Sequence, residues 1–80
     1  MASLRVRLTF PQDKVKRPHI YEVGKAYDII WSVRKANVTA DSGWVHLELT
    51  GEAENLEKAV EAFETRGIRV DPIEGDVVAH

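Results

Sequence analysis

The residues able to do chemistry are few and scattered. The three histidines, His19, His46 and His80, share no i,i+3 or i,i+4 spacing, and the chain contains no cysteine. A zinc-type cluster needs several such ligands converging, so no metal site is expected. The serines and threonines stand in no recognisable order with a histidine and a carboxylate, and there is no thiol nucleophile. No glycine-rich cradle opens a helix to receive a phosphate. No catalytic residue and no cofactor are expected from this inventory, and the chain reads as a non-enzyme.

Three groupings remain, and all suit binding. Trp44, His46 and Glu48 alternate with Val45, Leu47 and Leu49 between Gly43 and Gly51. This period of two describes a half-buried strand whose second face carries an indole, an imidazole and a carboxylate. Lys14, Lys16 and Arg17 precede Pro18 and His19; they form either a solvated loop or an anion site beside a helix N-terminus. The third grouping is Ser32, Val33 and Arg34, with Asn37 close behind.

The elements that position these groups follow from periodicity. Leu4, Val6, Leu8 and Phe10 alternate with Arg5, Arg7 and Thr9 and define a first strand ended by Pro11. Pro18 suits a first helical turn, and Ile20, Val23 and Tyr27 follow at helical spacing, which predicts a helix over 18–27. Gly24 inside it costs about 1 kcal/mol relative to alanine, and is expected where the helix must sit close to the sheet. Residues 29–39 form a second strand, on which Trp31 and Val33 share a face. A β-bulge near 35–37 is needed to bring Val38 onto that same face. Either sheet face stays open to Trp31. Ala40-Asp41-Ser42-Gly43 has turn composition, so the second and third strands make a hairpin.

Leu56, Ala59, Val60 and Phe63 then mark the clearest helix, with a Glu54–Lys58 pair and Gly67 as its terminator. Ile68–Val70 is expected as a short edge strand stopped by Pro72, with 74–80 an aperiodic tail. The chain is thus one domain spanning 1–80, with its core at 4–73. The order β-α-β-β-α-β predicts an α+β, ferredoxin-like sandwich. Right-handed crossovers put both helices on one face of a four-stranded antiparallel sheet of order 4-1-3-2. The other face is left bare, and Arg5, Arg7, Thr9, Trp44, His46 and Glu48 lie there, with Glu48 in reach of Arg5 or Arg7.

Composition closes off several classes. The 80 residues carry 44% hydrophobic and 30% charged positions, with a net charge of −2. That is ordinary globular usage without the electrostatic footprint of a nucleic-acid or anionic-membrane binder. An RNA-recognition sheet needs aromatic platforms on both central strands, and the first strand offers Arg7 where the second ring is wanted. No apolar run is long enough to span a bilayer and the N-terminus lacks a signal core, so a cytoplasmic location is expected. A chain this small gains much from oligomerisation, which favours a homodimer. Trp44 on a bare face is a candidate for such contacts, or else its indole lies over the stem of Arg7.

The run from Pro18 to Ile73 resembles the NIL domain, a ferredoxin-like module of bacterial methionine importer ATPases. The likeness rests on Gly43-Trp44-Val45-His46-Leu47-Glu48-Leu49-Thr50-Gly51 followed by Leu56, Ala59, Phe63 and Gly67-Ile68-Arg69-Val70. Pro18-His19-Ile20 resembles the family's proline-led first helix. The name-giving Asn-Ile-Leu triplet falls on Ser32-Val33-Arg34, where only the apolar middle position is kept. The resemblance implies a domain that pairs with a second copy and binds methionine to restrain import. With neither an ATPase segment nor ferredoxin cysteines, a free-standing copy linked to sulfur or methionine metabolism is implied.

Two functions are therefore expected to compete. In the first, a homodimeric regulatory module binds methionine or a sulfur-containing relative through Pro18, His19, Ser32, Val33, Arg34 and Asn37. Arg34 is either a bidentate clamp for a carboxylate or a solvated charge guarding an edge strand. In the second, Trp44, His46 and Glu48 form an interface for a partner enzyme or transporter, with no ligand.

Overall fold

The computed structural model describes residues 1–15 and 17–79, with side chains described through Ile73. Lys16 and His80, which figured in the basic loop and among the histidines, lie outside the described residues. The elements are β1 (Ala2–Phe10), α1 (His19–Ala26), β2 (Ile30–Val38), β3 (Gly43–Gly51), α2 (Ala53–Thr65) and β4 (Arg69–Ala79), with a 3-10 turn at Gln12–Lys14. The sheet is antiparallel throughout, in the order β2-β3-β1-β4. This is the expected 4-1-3-2 order read from the other edge.

Alternation along the central strands builds the core. Val6, Leu8 and Phe10 of β1 stand opposite Leu47, Val45 and Gly43 of β3. The apolar row meets Val23 of α1 and Leu56, Ala59 and Phe63 of α2, all buried. Burying each such side chain contributes roughly 1.5–3 kcal/mol, and only one face of the sheet receives it. Among the described residues no layer covers the opposite face.

Both helices end in the same device. Gly67, at φ 83°, follows α2 while Ile68 donates its N–H to the Phe63 carbonyl at 3.0 Å and Gly67 donates to Glu64 at 2.9 Å. This is a Schellman motif, with its expected apolar contact between Ile68 and Phe63, both core residues. At the end of α1 Asp28 takes the left-handed position with φ 54°, and Ile29 donates to the Gly24 carbonyl at 3.1 Å. Gly24 lies against the Trp31 indole with no space for a Cβ. That close approach assigns Trp31 to the helix-covered face.

The bulge on β2 sits at Arg34: Val33 pairs with Leu47 and Lys35 with His46, leaving Arg34 as the extra residue. It falls one residue before the predicted stretch and has the predicted effect. Val33 and Val38 share the helix-side face, while Arg34 reaches Glu48 on the other.

The end of the chain differs from expectation. The last strand does not stop near Val70; β4 runs on through Pro72 to Ala79. Pro72 stands opposite Val6 and Val77 opposite Leu4, so two steps on β1 meet five on β4. A proline interrupts pairing only where its missing N–H is needed, and an edge strand has one side that needs none. Side-chain periodicity is lost at the irregularity, which is why alternation did not mark the continuation.

Candidate functional site

A hollow of about 320 Å³ opens at one end of the sandwich, within the usual size range of small-molecule sites. Its floor is Phe10 and Val45 from the ends of β1 and β3. Its walls are Pro18, His19 and Tyr21 from the start of α1, and Trp31 and Val38 from β2. The β1–α1 connection brings Arg17 to the lining as a guanidinium among otherwise mostly apolar groups. Tyr21 meets Trp31 edge-on with ring centroids 6.2 Å apart.

Behind this wall His19 is held by a charged chain. Phe10 stacks on its ring at 6.4 Å, and an Arg66 guanidinium nitrogen lies 3.2 Å from Nδ1. Arginine only donates, so Nδ1 accepts and the neutral ring carries its proton on Nε2. That Nε2 is buried and has no hydrogen-bond partner among the described residues. Burial, then the positive Arg66, hold the His19 pKa below 6.5. Arg66 also donates to Glu22 at 2.6 Å, and Arg17 donates to the same carboxylate oxygen at 3.0 Å. These hydrogen bonds, that from Arg66 foremost, lower the Glu22 pKa. The start of α1 is thereby pinned to the end of α2. The His19 backbone N–H is taken up by the Arg17 carbonyl at 2.8 Å, and Pro18 has none; the rim is set by side chains rather than by an exposed amide pair.

The outer boundary is an edge. β2 has a neighbour on one side only, and Ile30, Val33 and Val38 are 65%, 54% and 56% exposed. Val38 lines the hollow, and Val33, immediately before the bulge, stands on the same face. An apolar edge strand of this kind is a template for pairing unless something covers it.

The uncovered face of the sheet carries a second assembly. Arg34 donates to Glu48 at 2.6 Å, and Arg5 lies 3.5 Å from the same carboxylate oxygen. The Arg34 hydrogen bond is the main cause that holds the Glu48 pKa below the usual range. Trp44 and His46 stand 4.8 Å apart between ring centroids, and the Arg7 guanidinium sits 4.7 Å above the indole. The indole does lie under its own arginine, as one of the two readings of Trp44 required.

Over residues 4–72 the chain matches the model of the NIL domain. The chain belongs to the NIL domain family. Among solved structures it is similar to the C-terminal domain of an ABC transporter ATP-binding protein from Enterococcus faecalis. The TM-score is 0.78 at 23% identity, with 91% of this chain and 86% of that one covered; the likeness is one of fold. No curated protein sequence matches the chain.

In this NIL domain the six residues expected to share one ligand site are divided between two faces. Pro18 and His19 line the hollow. Val33 is on the same side but outside the lining, further along the edge. Ser32 and Asn37 pair with Glu48 and Trp44, and with Arg34 they belong to the uncovered face. The structure does bring Trp44, His46 and Glu48 together there. Sequence reasoning missed Phe10, Tyr21 and Trp31 as walls of one hollow. The available signal was three aromatic residues placed at the end of one strand, the start of a helix and the start of the next strand. The role of Arg66 was not legible in the sequence either, because its partner His19 lies 47 positions away. Among the described residues no group of three His, Cys, Asp or Glu gathers to hold a metal, and no helix is long and apolar enough to cross a membrane.

Proposed function

We propose that this NIL domain is a non-catalytic regulatory module that binds methionine or a sulfur-containing relative as a homodimer. The observation that carries the proposal is the position of the apolar hollow against an uncovered, apolar edge strand. A second β2 laid along the first would satisfy the outer backbone groups and close the hollow on the side where Val38 forms its rim. The rings of Phe10, Tyr21 and Trp31 suit a polarisable thioether, and Arg17 supplies a cation for the ligand's carboxylate. The family resemblance, in which paired copies bind methionine, supports the same reading. Ser32, Arg34 and Asn37 take no part in this version of the site.

A ligand that binds the native state raises its stability by about 2.7 kcal/mol at a hundredfold excess over its dissociation constant. The test is thermal denaturation of the purified chain with each common amino acid, S-adenosylmethionine and homocysteine at several millimolar, with sedimentation to follow mass. The expected outcome is a dimer whose midpoint rises selectively with methionine or a sulfur relative. A flat response from a folded chain sinks the ligand and favours a second reading, an adaptor for a partner of sulfur or methionine metabolism. That reading draws on the contiguous half-buried Trp44 and His46 of the uncovered face.

A further inference from the structure

We infer that the hollow reads the carboxylate of its ligand and not the ammonium, so that it accepts thioether monocarboxylates with or without an α-amino group. The inference rests on the proposed function for the place of the site and narrows the class of molecule that fills it.

The charged and ring nitrogen groups of the lining are donors. Arg17 belongs to the lining, and its Nε donates to Glu22 at 3.0 Å, which fixes the guanidinium at the rim. The edge formed by Nη1 and Nη2 is a second face of the same fork and matches the two oxygens of a carboxylate. His19 also lines the hollow. With Nδ1 accepting from Arg66, its neutral ring has only an N–H to offer. Trp31 adds an indole N–H, and Tyr21 a hydroxyl that is a weak partner for a full positive charge. Lys25 already stands 5.7 Å from the Tyr21 ring centroid, so a second cation at these rings is repelled by it and by Arg17.

No acid answers an ammonium. Among the described residues no Asp or Glu lines the hollow. Glu22 touches Arg17 but stands outside the lining, and its same oxygen accepts from Arg66 at 2.6 Å. Arg17's undescribed neighbour is Lys16, which carries no carboxylate. Glu74 and Asp76, whose side chains are not described, stand on β4 between Pro72, opposite Val6, and Val77, opposite Leu4. The hollow opens at Phe10, about 13 Å further along β1 than Val6. In a dimer closed by a second β2, the added strand brings Arg34 and Lys35 and no acid. An ammonium drawn into this hollow loses water without gaining a carboxylate, whereas a carboxylate exchanges water for a guanidinium.

The test is a set of NMR titrations of the full chain at neutral pH and constant ionic strength. The probes are methionine, the oxo acid and the deaminated acid with the same side chain, methioninol, and the decarboxylated amine. The oxo and deaminated acids are expected to bind at least as tightly as methionine, with shifts around Arg17, Tyr21 and Trp31. Methioninol and the amine should bind about tenfold or more weakly, the loss of a charge-assisted fork. Arg17→Gln, at an exposed position, should weaken all three acids to the level of methioninol and leave methioninol unchanged. Methionine binding well while the oxo and deaminated acids do not would overturn the inference and leave the proposed function standing. So would methioninol or the amine matching methionine, or Arg17→Gln leaving the acids unaffected. Acids binding tightly with methionine excluded would uphold the carboxylate reading and sink amino-acid sensing. A folded chain that binds none of the five would sink both.

Discussion

His19 concentrates several constraints in one ring. Its Nδ1 accepts from Arg66, its Nε2–H finds no partner among the described residues, and one face is stacked on Phe10. A buried donor left unpaired costs about 1–3 kcal/mol, and charging the ring would place a third cation beside Arg66 and Arg17, offset by Glu22. Because burial lowers its pKa, the unfolded chain takes up this proton first as acid is added. The stabilisation is complete above about pH 6.5 and declines as the pH falls below that value toward the folded-state pKa. Denaturant midpoints measured at pH 7.5 and 5.5 should therefore drop for the native chain and drop measurably less for His19→Phe; an equal drop in both would remove His19 as the cause. Glu22 and Glu48 act lower. Their depressed pKa values give stability that is present above about pH 4.5 and lost as the pH falls further.

The two Schellman ends allow one residue type to be compared at two sites. Gly67 occupies a left-handed position that a side chain adopts at a cost of roughly 1–2 kcal/mol, whereas Asp28 already bears that cost in part, since aspartate tolerates the region. Gly67→Ala should destabilise by about 1 kcal/mol, moving the thermal midpoint of so small a domain down by roughly 4–8 °C. Asp28→Gly should move it slightly up or leave it in place. A downward shift from Asp28→Gly would show that its side chain does more than hold a turn. The elements most legible in the sequence were those with unbroken periodicity. Val45, Leu47 and Leu49 announced β3, Leu56, Ala59 and Phe63 announced α2, and the phase error between Val33 and Val38 announced the bulge. The continuation of β4 past Pro72 was illegible because it rests on backbone pairing with Ala2–Leu4, which leaves no side-chain pattern to read.

Across the whole molecule, one side of the sheet is a packed sandwich with an apolar hollow at its end, and the other is an open surface of charge and rings. The candidate site was legible only in halves. Pro18 and His19 lie at the hollow, but Ser32, Arg34 and Asn37 were grouped with them by closeness in sequence, and a strand sends close neighbours to opposite faces. If edge-to-edge pairing of β2 makes the dimer, a charge on that edge should prevent it. Val33→Lys is expected to leave the fold intact, since Val33 is more than half exposed, and to shift the chain toward monomer by at least tenfold in dissociation constant. An unchanged dimer by sedimentation would move the interface elsewhere. The bulge that sets these faces also makes β2 unevenly tolerant of changes in length. Losing Arg34 would leave a regular ladder with Val33 still opposite Leu47 and Lys35 still opposite His46, so the faces would survive. Losing Asn37 would carry Val38 to the open side and strip the hollow of part of its rim. Along this strand, then, one residue is spare in the geometric sense and its neighbours are not, so natural shortening of the hairpin would be accepted at 34 and resisted three positions later.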